Sequence, residues 1–389
     1  MSRVQSKIQP SLLRQLNERQ VLAAVQAHGP LSRADITRQT GISGPTVTRA
    51  VSSLIQAHWL EEVEPRGNCV GRPGKLVRLS RTKVSVLGLV VGPTSCELVS
   101  AGLDGHIEPA NVRTFATPEN YEALLAACVR SARELMEAHK TTVLGLGLSV
   151  PGLINRRRGE SIVSPNLHQL DGRNLGDDLR ERLQIDVNVL QECHALCRSE
   201  QVFGAARGVA DFAMLDISEG LGLGVMHGGQ LLQGHSGLGG ELGHVTVDLH
   251  GRPCGCGNRG CLETVATDMA LAKLVAERTG ERRNIDELLA AVATGRLAID
   301  QELELVLEYL AVGVAAVLNV FNPHLLFIYG RLLDARADAF DRLLELSAAR
   351  SLAPNWADCR VIRARGSKRL GAVAAALEGA LSGWDEAPA

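Results

Sequence analysis

Within eight residues, CGCGNRGC, the chain places Cys254, Cys256 and Cys261, and His244 stands ten residues before the first of them. Gly251, Gly255, Gly257 and Gly260 leave this stretch little side-chain core in which to bury a thiol, so something other than apolar packing must order it. Three thiolates and one imidazole on a single loop can close a tetrahedral Cys3His site, and zinc is the metal that suits this donor set. Four protein ligands leave no open coordination position. The sequence therefore predicts one structural zinc per chain, held by His244, Cys254, Cys256 and Cys261.

At 389 residues, 45% of them hydrophobic and 22% charged, the chain is long enough for two or three domains with cores of their own. The other cysteines show no repeating spacing, which argues against a secreted disulfide framework and for a reducing compartment. The opening MSRVQSKIQP lacks the apolar centre of a signal peptide. The longest apolar run, around Leu310 to Val320, is short for a bilayer and broken by Gly313 and Asn319. The expectation is a soluble cytoplasmic protein without membrane insertion. Charge is unevenly spread: residues 1–80 hold 11 Lys/Arg against 5 Asp/Glu, and the remainder 30 against 38. A basic head on an acidic body predicts that the head meets a polyanion.

The head has a helical pattern at Leu12 to Gln26, ended by Gly29-Pro30, and a second helix from Ser32, boxed by Asp35, to Gly41. A third follows the N-cap Ser43, with Pro45 in its first turn, where a missing N–H costs nothing. Val47, Val51, Leu54 and Ile55 form its inward stripe, while Thr46, Arg49 and Ser53 face out. Two strands, Trp59 to Val63 and Lys75 to Leu79, flank the Gly-rich tip RGNCVGRPG. This order reads as a winged helix-turn-helix, whose third helix suits the major groove because its outer face is small, polar and basic. The candidate contacts to duplex operator DNA are Arg33, Ser43, Thr46, Thr48, Arg49 and Ser53, with Arg66 and Arg72 on the wing.

From Gly239 to Glu263 the sequence resembles the signature of the ROK family (repressors, open reading frames and kinases). An ExGH motif, here Glu241-Leu242-Gly243-His244, precedes a CGCG…GCLE loop ending at Glu263. The likeness extends through LGLGLSVPGLIN (Leu144 to Asn155), SPNLHQLDG (Ser164 to Gly172), QECHALCRSEQVFGAARG (Gln191 to Gly208), EGLGLGVMHGGQLLQG (Glu219 to Gly234) and FNPHLLFIYG (Phe321 to Gly330). The winged head with its GRPG is similar to that of the family's sugar-repressor branch. The resemblance implies an α/β, actin-like (hexokinase-type) body of two lobes behind the winged head. The divisions expected are 1–82 for the head, 83–198 for the first lobe with a C-terminal helix at about 368–389 packing back on it, and 199–367 for the second lobe with the zinc loop. It also implies a sugar or sugar-phosphate effector held by Gly152, Asn166, Glu192, Glu241, His244 and Glu263, and a homodimer or homotetramer. Carboxylates and an amide suit a polyol because each holds one or two hydroxyls.

The phosphate-binding parts depart from the kinase pattern. Val90 stands where kinases of the family carry the Asp of a DIGGT-like turn, and Pro93 removes a backbone N–H from the cradle. The second turn, Gly220 to Met226, lacks the Thr and the last two glycines of GTGIGGG, and Gln191-Glu192 replaces the catalytic ND pair. Glu192 keeps a carboxylate, but one more methylene displaces it by about 1 Å, enough to spoil an aligned phosphoryl transfer. His194, with Cys193 and Cys197, reads as core. The resulting expectation is a non-enzymatic, sugar-responsive repressor. The alternatives are an active ROK sugar kinase with an attached DNA-binding domain, and a sensor that docks another protein.

Overall fold

In the computed structural model, which describes residues 10–64, 75–139, 141–155 and 158–383, the head folds from three helices, α1 (Pro10–His28), α2 (Arg33–Thr40) and α3 (Gly44–Gln56). Strands β1 (Leu31–Ser32), β2 (Leu60–Val63) and β3 (Leu76–Leu79) form one antiparallel sheet in the order β1-β3-β2. Ser32 and Asp35 cap α2 reciprocally, and Gly41, at φ 70°, ends it in the left-handed region. Val21, Val25, Ile36, Val47, Val51 and Leu54 are buried where the helices meet. Arg66 and Arg72 lie outside the described residues.

By internal contacts the chain divides into two units: residues up to Ser149, Leu175–Leu190 and from Ala372 on; and Val150–Asn174 with Gln191–Gly371. The expected change of lobe at 198/199 instead falls inside the helix Glu192–Val202, and Val150–Asn174 groups with the later residues.

The sheet in the first unit runs Val187–Gln191, Thr142–Val150, Val84–Val91, Ser95–Ala101, Val112–Ala116. Numbered along the chain, that is 5-4-1-2-3. Val84–Val91 is apolar apart from Ser85 because both its faces are covered, and all eight residues are buried. The sheet in the second unit runs Gln230–Leu231, Gly222–His227, Phe212–Asp216, Leu325–Tyr329, Arg360–Arg363, which is 3-2-1-4-5. Both units thus have one strand order, with an antiparallel hairpin beside a parallel strand, and repeat one α/β plan.

The helix Asp300–Phe321 is long and apolar enough to cross a membrane. Its Leu303, Val306, Leu307, Leu310, Val314, Val317 and Leu318 lie in the core of the second unit.

The last helix, Lys368–Gly383, lies tightly on the first unit's sheet at Gly147, where a Cβ would stand 1.8 Å from the Ala372 carbonyl oxygen. Gly147→Val is therefore expected to cost about 1–3 kcal/mol, an overpacking penalty, measured by urea denaturation. An unchanged midpoint would show that the helix does not need this close approach.

Candidate metal centre and polyol site

The cysteine loop folds on its own backbone. Cys254 N–H donates to the Asn258 carbonyl, Gly257 N–H to Cys254 and Gly260 N–H to Arg252, and isolated bridges join Thr246 to Cys261 and Pro253 to Arg259. Gly260 is required here: at φ 67°, a Cβ on it would lie 1.6 Å from the Asp248 carbonyl oxygen. The ligating atoms of His244, Cys254, Cys256 and Cys261 all come within 4.8 Å of one another. Cys256 and Cys261 sulfurs are 3.8 Å apart, and Cys254 Sγ is 3.6 Å from His244 Nδ1. A tetrahedron with metal–sulfur bonds of about 2.3 Å has edges of about 3.8 Å, so the donor set and its spacing fit a zinc-sized ion.

His244 closes a short turn, Leu242–His244, and faces two ways. Its Nδ1 meets the thiols, while Nε2 lies 3.8 Å from Glu241 Oε2. Glu263, two residues after Cys261, approaches His244 Nδ1 at 3.5 Å and accepts from the Cys254 thiol at 2.9 Å. Burial and the Glu263 carboxylate push that thiol up, a tendency that a bound dication reverses. Burial also raises Glu241, against the pull of His244.

Other expected polyol residues gather around these. Gly220 passes under Glu263: a Cβ on it would be 3.3 Å from Glu263 Oε2 and 3.9 Å from Asn166 Nδ2. Asn166 is exposed on the turn Ser164–Leu167, which Asp171 fastens by accepting from the Ser164 N–H at 2.6 Å. Gly152, at φ 85°, contributes backbone, since a Cβ there would strike the Val163 carbonyl at 2.4 Å. Its own carbonyl accepts from Gln191 Nε2 at 2.8 Å, and the Gln191 side chain also bonds Glu241. Gln191 thus joins Gly152 to Glu241, a link that sequence reading missed. Its place as the amide half of the family's ND pair was the available signal.

Glu192 is committed differently. Its carboxylate accepts from Lys368 Nζ at 2.7 Å, and the same ammonium lies 3.1 Å from Asp216 Oδ2 and donates to Ser218 Oγ at 3.1 Å. Burial raises Glu192 while Lys368 opposes the shift, and burial with the charge of Glu192 pushes Glu219 up to about 7. Lys368 had no sequence signal, being 176 residues from Glu192. Cys193, His194 and Cys197 are buried; the two thiols pack with Phe212, Met214 and Phe327, and Cys193 donates to the Met214 carbonyl.

In the head, Thr48 and Arg49 are exposed on α3, while Ser43 Oγ lies 2.9 Å from Thr46 Oγ1. Thr48 Oγ1 donates to the Gly44 carbonyl, a bond that binding could exchange. Two expected contacts are engaged within the head. Arg33 pairs with Glu62 at 3.0 Å, and Ser53 accepts from Arg14 Nη2 at 2.8 Å. At the first kinase turn, Val90 is buried and Gly92 N–H bonds the Ser95 carbonyl within the hairpin.

Comparison with known proteins matches residues 86–378 to the ROK family and residues 14–68 to the MarR family. The chain is 26% identical over 328 residues to the xylose repressor of Bacillus subtilis (strain 168), covering 84% of each. A solved ROK family transcriptional regulator, described as a homologue of the Escherichia coli MLC protein, superposes with a TM-score of 0.78 at 25% identity, covering 95% of this chain and 97% of that one. A ROK family glucokinase from Streptomyces griseus, solved with glucose and AMPPNP, shares the fold at TM-score 0.68 and 24% identity, covering 76% of this chain and 99% of the enzyme.

Proposed function

The chain belongs to the ROK family, and from that premise we propose that it is a sugar-responsive DNA-binding repressor whose operator affinity is set by a sugar or sugar phosphate in the second unit. The observation that carries this reading is the conjunction of a winged head with Asn166, Glu241, His244 and Glu263 gathered beside a Cys3His cluster. The B. subtilis relative, named a xylose repressor, supports the same class.

Chemically, the site binds rather than transfers. Glu241 and Glu263 accept from sugar hydroxyls and Asn166 donates or accepts. A structural zinc on His244, Cys254, Cys256 and Cys261 would fix the loop that presents both carboxylates. Glu192, at the position of the family's catalytic Asp, is held by Lys368 and does not stand free as a base. Val90 offers no side-chain carboxylate for Mg²⁺, and Pro93 no N–H for a phosphate. Pairing of heads on two half-sites calls for a homodimer or homotetramer.

Fluorescence anisotropy with a duplex recovered from a random pool by the full-length protein tests the reading. Affinity is expected to fall steeply with salt, and Arg49→Ala to weaken specific binding by roughly tenfold or more, about 1–3 kcal/mol. Salt-independent binding, or none, would overturn it.

A further inference from the structure

We propose that the effector is an uncharged sugar, and that Glu192, Asp216, Glu219 and Lys368 form an element that excludes phosphate esters. The inference rests on the sugar-responsive reading and narrows it to one ligand class.

Both flanks of the polyol site run directly into this cluster. On one flank Glu192 follows Gln191, whose amide joins Gly152 to Glu241. On the other Glu219 precedes Gly220, which lies against Glu263 and Asn166. A phosphate on a sugar held by Asn166, Glu241 and Glu263 would therefore enter a region already supplied with negative charge. The cation set there is Lys368, and it is already matched by Glu192 at 2.7 Å and Asp216 at 3.1 Å. Glu219 is a third carboxylate in the same region. Its rise to about 7, from burial and the charge of Glu192, shows how poorly the region bears another anion.

The donors of the Asp216–Ser218 turn beside Lys368 are also engaged. Ser218 N–H donates to Asp216 Oδ1 at 3.1 Å, and Ser218 Oγ donates to the same oxygen at 2.6 Å while accepting from Lys368. Asp216 thus takes, as a fixed carboxylate, the hydrogen bonds that a phosphate oxygen would need. A neutral hydroxyl has no such conflict, since it can donate to any of these oxygens.

Isothermal titration of the full-length protein with xylose, glucose and N-acetylglucosamine, and with glucose 6-phosphate, N-acetylglucosamine 6-phosphate and xylose 5-phosphate, tests the proposal. At least one free sugar is expected to bind, and its own ester to bind roughly a hundredfold more weakly. Glu219→Gln is expected to narrow that ratio by about tenfold. An ester that binds as tightly as its parent sugar overturns the exclusion and leaves the sugar-responsive reading standing. An unchanged ratio in Glu219→Gln overturns the assignment to this cluster. If no member of either class binds, the sugar-responsive reading fails and the exclusion fails with it.

Discussion

Cys256→Ser protein is expected to leave purification without bound metal and to unfold its second unit well below the wild type. Cys256 is the cleanest of the four candidate ligands to alter, because it is exposed while Cys254 and Cys261 are buried. Serine there removes little apolar packing, so the cost measured is that of the lost thiolate and its ion. The glycine-rich loop has no apolar core to fall back on. Structural zinc sites supply apparent binding energies of about 10–16 kcal/mol in isolated peptides. Even a share of about 4 kcal/mol would lower the midpoint by roughly 8–16 °C for a unit of this size. Calorimetry beside elemental analysis is the measurement, with chelator-treated wild type expected to match the variant. A variant that keeps one ion per chain, or a wild type whose midpoint ignores chelation, would remove the structural role assigned to the loop.

The head was legible because its signals are local. Ser32 and Asp35 lie three apart and Gly41 stands where its positive φ is needed, so α2 can be read with its ends. The two-residue strand Leu31–Ser32 was not legible, since pairing with Leu76–Val77 leaves no periodicity behind. Ser53 illustrates a second limit. Helical spacing places it on the outer face of α3, but cannot show that Arg14, 39 residues earlier on another helix, donates to it. Arg33 and Glu62 repeat the case across 29 residues.

In the body, the four residues that could hold a metal and the carboxylates beside them share one segment, and their types and spacing point to the proposed chemistry directly. The cluster around Glu192 does not share a segment. Asp216 and Lys368 reach it through a strand end and a helix start, where a lysine between Ser367 and Arg369 resembles any solvated surface charge. The unit boundaries were obscured for a related reason. Val150–Asn174 follows a strand of the first sheet without a break in composition, yet groups with the second unit.

Glu241→Gln is expected to abolish the response of operator binding to the sugar while leaving sugar-free DNA binding within about twofold. Glu241 is a better choice than Glu263, which accepts from the Cys254 thiol at 2.9 Å and so stands too near the metal ligands for a clean reading. Glu241 lies 3.8 Å from the outer nitrogen of His244, and its place in the second unit is not part of the winged head. The amide keeps the shape of the carboxylate but gives up charge-assisted acceptance from hydroxyls, about 1.5–3 kcal/mol per bond. Sugar affinity should therefore fall by roughly one to two decades, with metal content unchanged. Coupling between the two ligands is reciprocal, so a sugar that weakens operator binding must itself bind more weakly when operator is present, by the same factor. Titrating the sugar with and without operator measures that factor directly. In Glu241→Gln at a sugar concentration near the wild-type Kd, operator affinity should stay close to its sugar-free value, because roughly 1–10% of the sites then hold sugar. Equal sugar affinities in the two wild-type titrations would mean that the site does not govern the head, whatever it binds.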